Sequence, residues 1–315
     1  MEIWDLIILG AGPAGLTAAL YGIRSGLSTL LIEEKTTGGL LLEVPFVENY
    51  PGIANVTGIE LAEKMSQQVK DTGVEIHEIE KAQSMDVKEA IRIKTDRREY
   101  FSRSSIIATG ARHRTLDIPG EKRLTGRGVS LCALCDGAFF KGKKVAVAGG
   151  GNSAATSALY MANIAKEVLV IHRRGMMRAE KAWVDSLEQK GVKLMLNTEI
   201  TELHGEPQLT SLTLRGTRSG ATSTLDVDGL FVEIGQIPNS ELAKGAGTKT
   251  DSQGYIVVDS SQATNIQGVY AAGDVTSNPV KQISTAVGQG ATAATEAFIH
   301  VKRPYYRRTK EPYAT

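Results

Sequence analysis

Three observations predict an α/β fold made of two similar units. The pattern strand, glycine-rich turn, helix, strand is written twice, first from residue 3 and again from residue 144. Each copy carries a GxGxx(G/A) turn, GAGPAG at 10–15 and GGGNSA at 149–154. The length, 315 residues, suits about two domains of ordinary size.

The elements follow in order. IWDLIIL at 3–9 is an apolar run of strand length, LTAALYGIRSG after the turn has helical spacing, and STLLIE at 28–33 is the next strand. Residues 59–72, IELAEKMSQQVKDT, read as a helix ending before Gly73. SIIATG at 105–110 is a strand that ends in a small-residue turn. The second copy gives a strand at KVAVAG, a helix at ATSALYMANIA and a strand at EVLVIH, and Ala19-Leu20-Tyr21 falls on Ala158-Leu159-Tyr160. LFVEIGQIPN at 230–239 and GVYAAGD at 268–274 are two more strands with turns, and YIVVDSSQATNIQG at 255–268 reads as strand and turn. ISTAVGQGATAATEAFIHV reads as a long helix despite its glycines.

Composition excludes several classes. Lys plus Arg is 36 and Asp plus Glu 35, a net charge of +1, which is not the footprint of a nucleic-acid binder. A hydrophobic content of 42% excludes an acidic disordered chain. No basic-then-apolar leader and no run of about 18 apolar residues is visible, so the expected setting is the cytoplasm, away from the membrane. The basic tail KRPYYRRTKEPYAT reads as a solvated end. Two oddities remain: 33 glycines, and only two cysteines, three positions apart.

The glycines have a use in the turns. Gly10 permits the tight exit from the strand, Gly12 lets the backbone approach a pyrophosphate, and Gly15 lets helix and sheet pack closely. The pyrophosphate then meets free N–H groups and the positive end of the helix dipole. About 20 residues on stands Glu33, whose carboxylate accepts hydrogen bonds from a ribose. Gly149, Gly151 and Ala154 repeat the device. The position matching Glu33 is His172, followed by Arg173, Arg174 and Arg178. An acid would repel a 2′-phosphate, whereas guanidinium forks bind one at about 1.5–3 kcal/mol each. This predicts NADPH over NADH at the second turn; a solvated basic turn is the bland alternative.

Cys132 and Cys135 form a C-x-x-C pair, a spacing that closes a small disulfide loop and lowers one thiol pKa. The alternatives are half a zinc site, which needs four ligands, and inert core cysteines. Asp136 follows directly, either to exchange a proton with a leaving thiolate or to cap a turn.

Taken together, GAGPAG, VENYPG at 47–52, ATG at 108–110, CALCDG at 132–137, GGGNSA, HRRGMMR at 172–178 and AAGD at 271–274 resemble the low-molecular-weight thioredoxin reductases over about residues 4–300. These are flavoproteins of the pyridine nucleotide-disulfide oxidoreductase superfamily. The resemblance implies two Rossmann-like dinucleotide-binding domains, the NADPH domain (113–244) inserted into an FAD domain made of 1–112 and 245–315. It assigns FAD to Gly10, Gly12, Pro13, Ala14, Gly15 and Glu33, with Asn49, Thr109, Gly110, Gly273 and Asp274 beside it. NADPH falls to Gly149, Gly151, Asn152, Ser153, Ala154 and the His172–Arg178 segment. It further implies a homodimer with thioredoxin or a thioredoxin-like protein as partner.

The cysteines precede the second turn and so ride on the NADPH domain. A large rotation is therefore expected to bring nicotinamide and disulfide to the flavin in turn, about strands near 111–118 and 240–248. Cys135 is expected nearest the flavin, Cys132 as the thiol that attacks the partner, and Asp136 as the proton donor. Two departures from the family pattern stand out: Leu40 follows Gly38-Gly39 where Gln is common, and Leu134 stands where Thr is common. Rival readings are a same-fold reductase fed by ferredoxin or reduced deazaflavin, a dithiol oxidase using oxygen, and a non-catalytic nucleotide sensor.

Overall fold

The computed structural model describes residues 3–44, 47–53 and 55–303. The first sheet has seven strands. Five are parallel: four run in the order Glu75–His77, Thr29–Ile32, Ile3–Leu9, Glu99–Ile107, and Val269–Ala271 is the fifth. The long strand Glu99–Ile107 then forks. Its first half pairs with the antiparallel hairpin Ala82–Val87 and Ile91–Thr95, and its second half with Val269–Ala271, which returns from far along the chain.

Apart from Asp5, strand Ile3–Leu9 is apolar, because both faces of its second half are covered. Leu6 and Ile8 point to one cluster, with the helices Pro13–Arg24 and Ile283–Lys302; Ile7 and Leu9 point to the other. Each of these side chains is at most 1% exposed, a burial worth about 1.5–3 kcal/mol apiece. One glycine of the last helix also has a reason. A Cβ at Gly290 would come within 2.2 Å of the Ala14 carbonyl oxygen, so the two helices can pack this closely only without it.

The second sheet is fully parallel, in the order Lys193–Leu196, Glu167–His172, Lys144–Gly149, Gly229–Glu233, Val129–Ser130. Val145 and Val147 face the helix Asn152–Ala162, while Ala146 and Ala148 face a three-stranded antiparallel meander over 198–226. Between the sheets lies a two-stranded ladder, Ala111–His113 against Gln236–Pro238. In both sheets the parallel register aligns the strand ends that carry the glycine turns.

Two expectations need correction. Residues 255–268 form no named strand, only isolated bridges at Ile256 and Ala263, because Asp259 and the turn it caps interrupt the run. The second crossing strand is Gln236–Pro238, earlier than 240–248, where a short helix Glu241–Gly245 begins instead. Most of the basic tail lies outside the described residues.

Candidate active site

Both glycine turns are built as their sequences require. Gly10 has φ +101° and its Cβ would stand 2.3 Å from the Ala108 carbonyl oxygen; Gly149 has φ +153° and its Cβ would stand 2.2 Å from that of Glu233. Here the missing side chains allow the turn and its packing on the neighbouring strand. At Gly12 and Gly151 the reason differs. The nearest atom to a Cβ at Gly12 is 4.0 Å away, and nothing lies within 4 Å of one at Gly151. These two positions open onto space at the start of a helix whose N-terminus lacks a side-chain cap, Pro13–Arg24 in one case and Asn152–Ala162 in the other. Their first N–H groups are left for an anion.

That space is a cavity of about 1380 Å³ lined by both sheet units. It exceeds the roughly 300–1,000 Å³ of a single small-molecule site. From the first unit it is lined by Gly10, Gly12, Pro13, Ala14, Glu33 and Asn49, then by Thr109, Gly110, Gly273 and Asp274. From the second come Gly151, Asn152, Ser153 and Arg178. Gly15, Gly149, Ala154 and His172 pack behind the turns, and Arg173 and Arg174 lie outside the lining.

The residues present suit nucleotides. The Glu33 carboxylate accepts from the amides of Ala11 at 2.7 Å and Lys35 at 2.8 Å, which fixes it beside the first turn with lone pairs left for a hydroxyl. Asp274 follows Gly273, whose amide is held by the buried Gln289 side chain at 2.6 Å. Burial pushes the Asp274 carboxyl above its ordinary range, against the pull of Lys281. An acceptor of that kind, sunk in a cavity wall, fits a donor supplied by a bound cofactor.

At the second turn the loop after His172 folds back. The amides of Arg178 and Ala179 donate to the Gly150 carbonyl at 2.6 and 3.1 Å. His172 is buried with its ring against Gly150, where a Cβ would meet it at 2.4 Å, and its Nε2 has no partner among the described residues. Burial and then Arg178, Arg174 and Arg173 push its pKa down. All three arginines are exposed and none forms a salt bridge among the described residues. The Arg218 guanidinium also reaches this loop, 3.1 Å from where a Cβ of Gly175 would be.

The two units meet through side chains. Asn49 donates to Glu180 at 3.4 Å and to Gln282 at 3.2 Å, and Glu180 is in turn held by Asn152 at 2.8 Å. The Thr109 hydroxyl, expected at the cofactor, donates to the Asn239 carbonyl at 2.7 Å and so ties the two crossings together. His113, on the first crossing strand, has Nε2 2.6 Å from Glu43 and Nδ1 4.0 Å from Glu233. Sequence reading missed Glu43, His113, Glu180, Glu233 and Gln289. They stand outside the short motifs, and only the fold brings them to the cavity.

Cys132 and Cys135 are joined, with an S–S distance of 2.01 Å and Cα atoms 5.3 Å apart. The pair is therefore a disulfide and not half of a zinc site. Among the described residues no group of three or more His, Cys, Asp or Glu is gathered for a metal. The short helix Ala133–Asp136 starts at Cys132, and the Cys135 amide donates to the Cys132 sulfur at 3.0 Å. Cys135 is exposed and Cys132 half-buried. The helix rests against Gly39–Glu43 of the first unit, but neither sulfur lines the cavity. Phe139 beside them is 73% exposed.

Residues 4–290 match the model of the pyridine nucleotide-disulphide oxidoreductase family. A thioredoxin reductase of Listeria innocua is 41% identical over 303 residues, covering 96% of this chain and 95% of its own. Among solved structures, the Lactococcus lactis thioredoxin reductase in its FR conformation superposes with a TM-score of 0.92 at 37% identity, covering 95% of this chain and 99% of its own. The thioredoxin reductase of Streptococcus pyogenes, also 37% identical and covering 95% of this chain and 98% of its own, superposes with a TM-score of only 0.63. No helix among the described residues is long and apolar enough to cross a membrane.

Proposed function

The chain belongs to the pyridine nucleotide-disulphide oxidoreductase family, and from that premise we propose that it is an NADPH-dependent, FAD-containing reductase of a thioredoxin-like protein. The observation that carries this reading is the joined Cys132–Cys135 pair, which rides on the same unit as the second glycine turn. Residues 1–112 and 245–315 form the FAD domain, and 113–244 form the NADPH domain with the redox pair. The flavin, when bound, supplies two-electron chemistry that links a nicotinamide to a disulfide.

The protein's own groups do the rest. The first turn, Glu33 and Asp274 hold FAD, and the second turn holds the NADPH pyrophosphate. Arg173, Arg174 and Arg178, free of internal carboxylates, select the 2′-phosphate. Asn49 orients the meeting of the two units through Glu180. In the arrangement described, the second turn opens onto the flavin cavity while the disulfide stays outside it. To bring the disulfide in, the second domain turns about the two crossing strands. Two relatives of equal identity that superpose at 0.92 and 0.63 support two mutual orientations of the same domains.

Once reduced, Cys132 is the attacking thiolate, steadied by the Cys135 amide. It displaces one sulfur of the partner's disulfide and forms a mixed disulfide, and Asp136 protonates the outgoing thiolate. Cys135 then attacks Cys132, which releases the reduced partner and restores the pair. The enzyme acts in the cytoplasm as a homodimer.

The test is stopped-flow reduction of the bound flavin by NADPH and by NADH, followed by thioredoxin reduction. Fast reduction by NADPH alone, with thiol formed in thioredoxin, is the expected result. Reduction only by ferredoxin or a reduced deazaflavin would replace the donor in this reading.

A further inference from the structure

Between the two domains lies a cluster that the chemistry above leaves unused. It gathers side chains from three separate parts of the chain. Glu43 comes from the turn Gly39–Glu43 of the first domain, His113 from the crossing strand Ala111–His113, and Glu233 from the end of strand Gly229–Glu233 in the second domain. His113 Nε2 stands 2.6 Å from a Glu43 oxygen, and His113 Nδ1 stands 4.0 Å from a Glu233 oxygen. The other Glu233 oxygen accepts from the Ser157 hydroxyl at 2.8 Å. Glu233 is 7% and His113 16% exposed at the side chain.

We propose that protonated His113 is the tie that holds the two domains in the arrangement described, and that losing its proton releases them to turn. This rests on the two-orientation reading above.

The geometry supplies the reason. With both ring nitrogens protonated, His113 donates to Glu43 and faces Glu233, so one cation bridges carboxylates of opposite domains. Neutral imidazole offers only one N–H, and two carboxylates are then left sharing one wall. Rotation about the crossing strands carries Glu233 and Ser157 away from Glu43 and breaks the bridge.

The groups facing His113 are Glu43 and Glu233. Other ionisable groups on the packed elements are engaged elsewhere or stand further off. Arg112 pairs with Glu241 at 2.9 Å, and Arg114 donates to the Gln236 carbonyl. Lys144 sits at the far end of its strand from Gly149. Asp136 lies on the helix that rests on the Glu43 turn, and Tyr160 lies further along the helix that carries Ser157.

The direction follows by linkage. The hydrogen bond to Glu43 raises the His113 pKa in this arrangement, against burial and with help from the charge of Glu233. Burial raises the Glu233 carboxyl as well, against the Ser157 hydrogen bond. This arrangement therefore binds protons more tightly than the rotated one. It is favoured at low pH and lost as pH rises through the raised His113 value. The domain turn is thus set to respond to pH above the ordinary histidine range.

The experiment uses the flavin-loaded protein. Small-angle X-ray scattering from pH 6 to 9 gives the fraction in each arrangement, and 13C-histidine NMR gives the titration of His113, assigned with His113→Gln. In the wild type the His113 signal should titrate above about 6.5. The fraction in this arrangement should fall through the same pH. The ratio of arrangements should change about tenfold for each unit by which the His113 pKa differs between them. His113→Gln should show no such transition, and Glu43→Gln, which keeps the histidine, should move it to lower pH. A wild type whose scattering ignores pH overturns the proposal, as does an unchanged transition in either variant. Neither readout needs thioredoxin. A protein that shows the transition yet reduces no thioredoxin would refute the substrate assignment and leave the tie standing.

Discussion

The two glycine turns share a backbone and differ in charge. In both, the first glycine is pressed on a neighbouring carbonyl oxygen and a later one opens onto the cavity at an uncapped helix start. That common part offers free N–H groups at a helix start and, on the proposed function, meets a pyrophosphate in both units. The strand that follows ends in Glu33 in the first unit, with its carboxylate fixed by two backbone amides. In the second it ends in His172, buried and ringed by exposed arginines. On the proposed function, one end accepts ribose hydroxyls and the other attracts a phosphate. The difference teaches that one backbone cradle, written twice, can serve two different dinucleotides when a few residues at the strand end differ in charge.

The largest test removes what the two sites serve. Cys132→Ser should bring thioredoxin reduction to background while the flavin spectrum of the purified protein stays intact. Full activity in that variant would remove Cys132 from its role.

Next come the turns themselves. Gly10→Ala places a Cβ 2.3 Å from the Ala108 carbonyl oxygen, so the purified protein should lose its flavin and its yellow colour. Gly149→Ala strains the second turn in the same way. It should keep the flavin and lose NADPH binding, as isothermal titration would report. If both variants lost the same cofactor, the division of labour between the turns would fail.

The arginines are a smaller step. Replacing Arg173, Arg174 or Arg178 by alanine should weaken NADPH by about tenfold each, from about 1.5 kcal/mol per lost charge-assisted bond, and leave NADH unchanged. Equal losses for both nucleotides would place these side chains away from the 2′-phosphate.

The smallest effect separates the two sheets. Asp5 of the first is approached by Lys302 at 2.7 Å and Arg103 at 3.4 Å, whereas the matching residue of the second is Lys144. Burial disfavours the Asp5 charge, but bonds from Lys302 and Ser28 outweigh it and hold the carboxyl below its ordinary value. Asp5→Asn should cost about 1 kcal/mol or less at pH 7. Because the folded pKa is depressed, that difference is present above the unfolded value of about 3.9 and fades as pH falls through the folded one. Urea melts at pH 7 and pH 3 check it.

How much of this was legible in the sequence follows from range. The turns, their helices and strands, and the cysteine pair were legible because each is a short run whose spacing carries its own reason. The strand expected at 255–268 was not there, since Asp259 bonds the amides of Ser261 and Ala263 and bends the chain before a ladder can form. Thr109 lines the cavity, but that its hydroxyl serves Asn239, 130 residues away, is written in no local run of sequence. Glu43, His113 and Glu233 carry no motif at all. Their proximity is a property of how the two sheets are joined, which no local pattern encodes.

In the proposed reaction, electrons from NADPH leave through Cys132 and Cys135 to a protein disulfide. The direct measurement is anaerobic: the flavin-loaded protein, NADPH and oxidised thioredoxin from the same organism, with NADPH loss and thiol gain followed together. The expected result is two thiols formed for each NADPH consumed, without oxygen. A flavin that NADPH reduces while thioredoxin stays oxidised, with turnover only when oxygen is admitted, would contradict the claim.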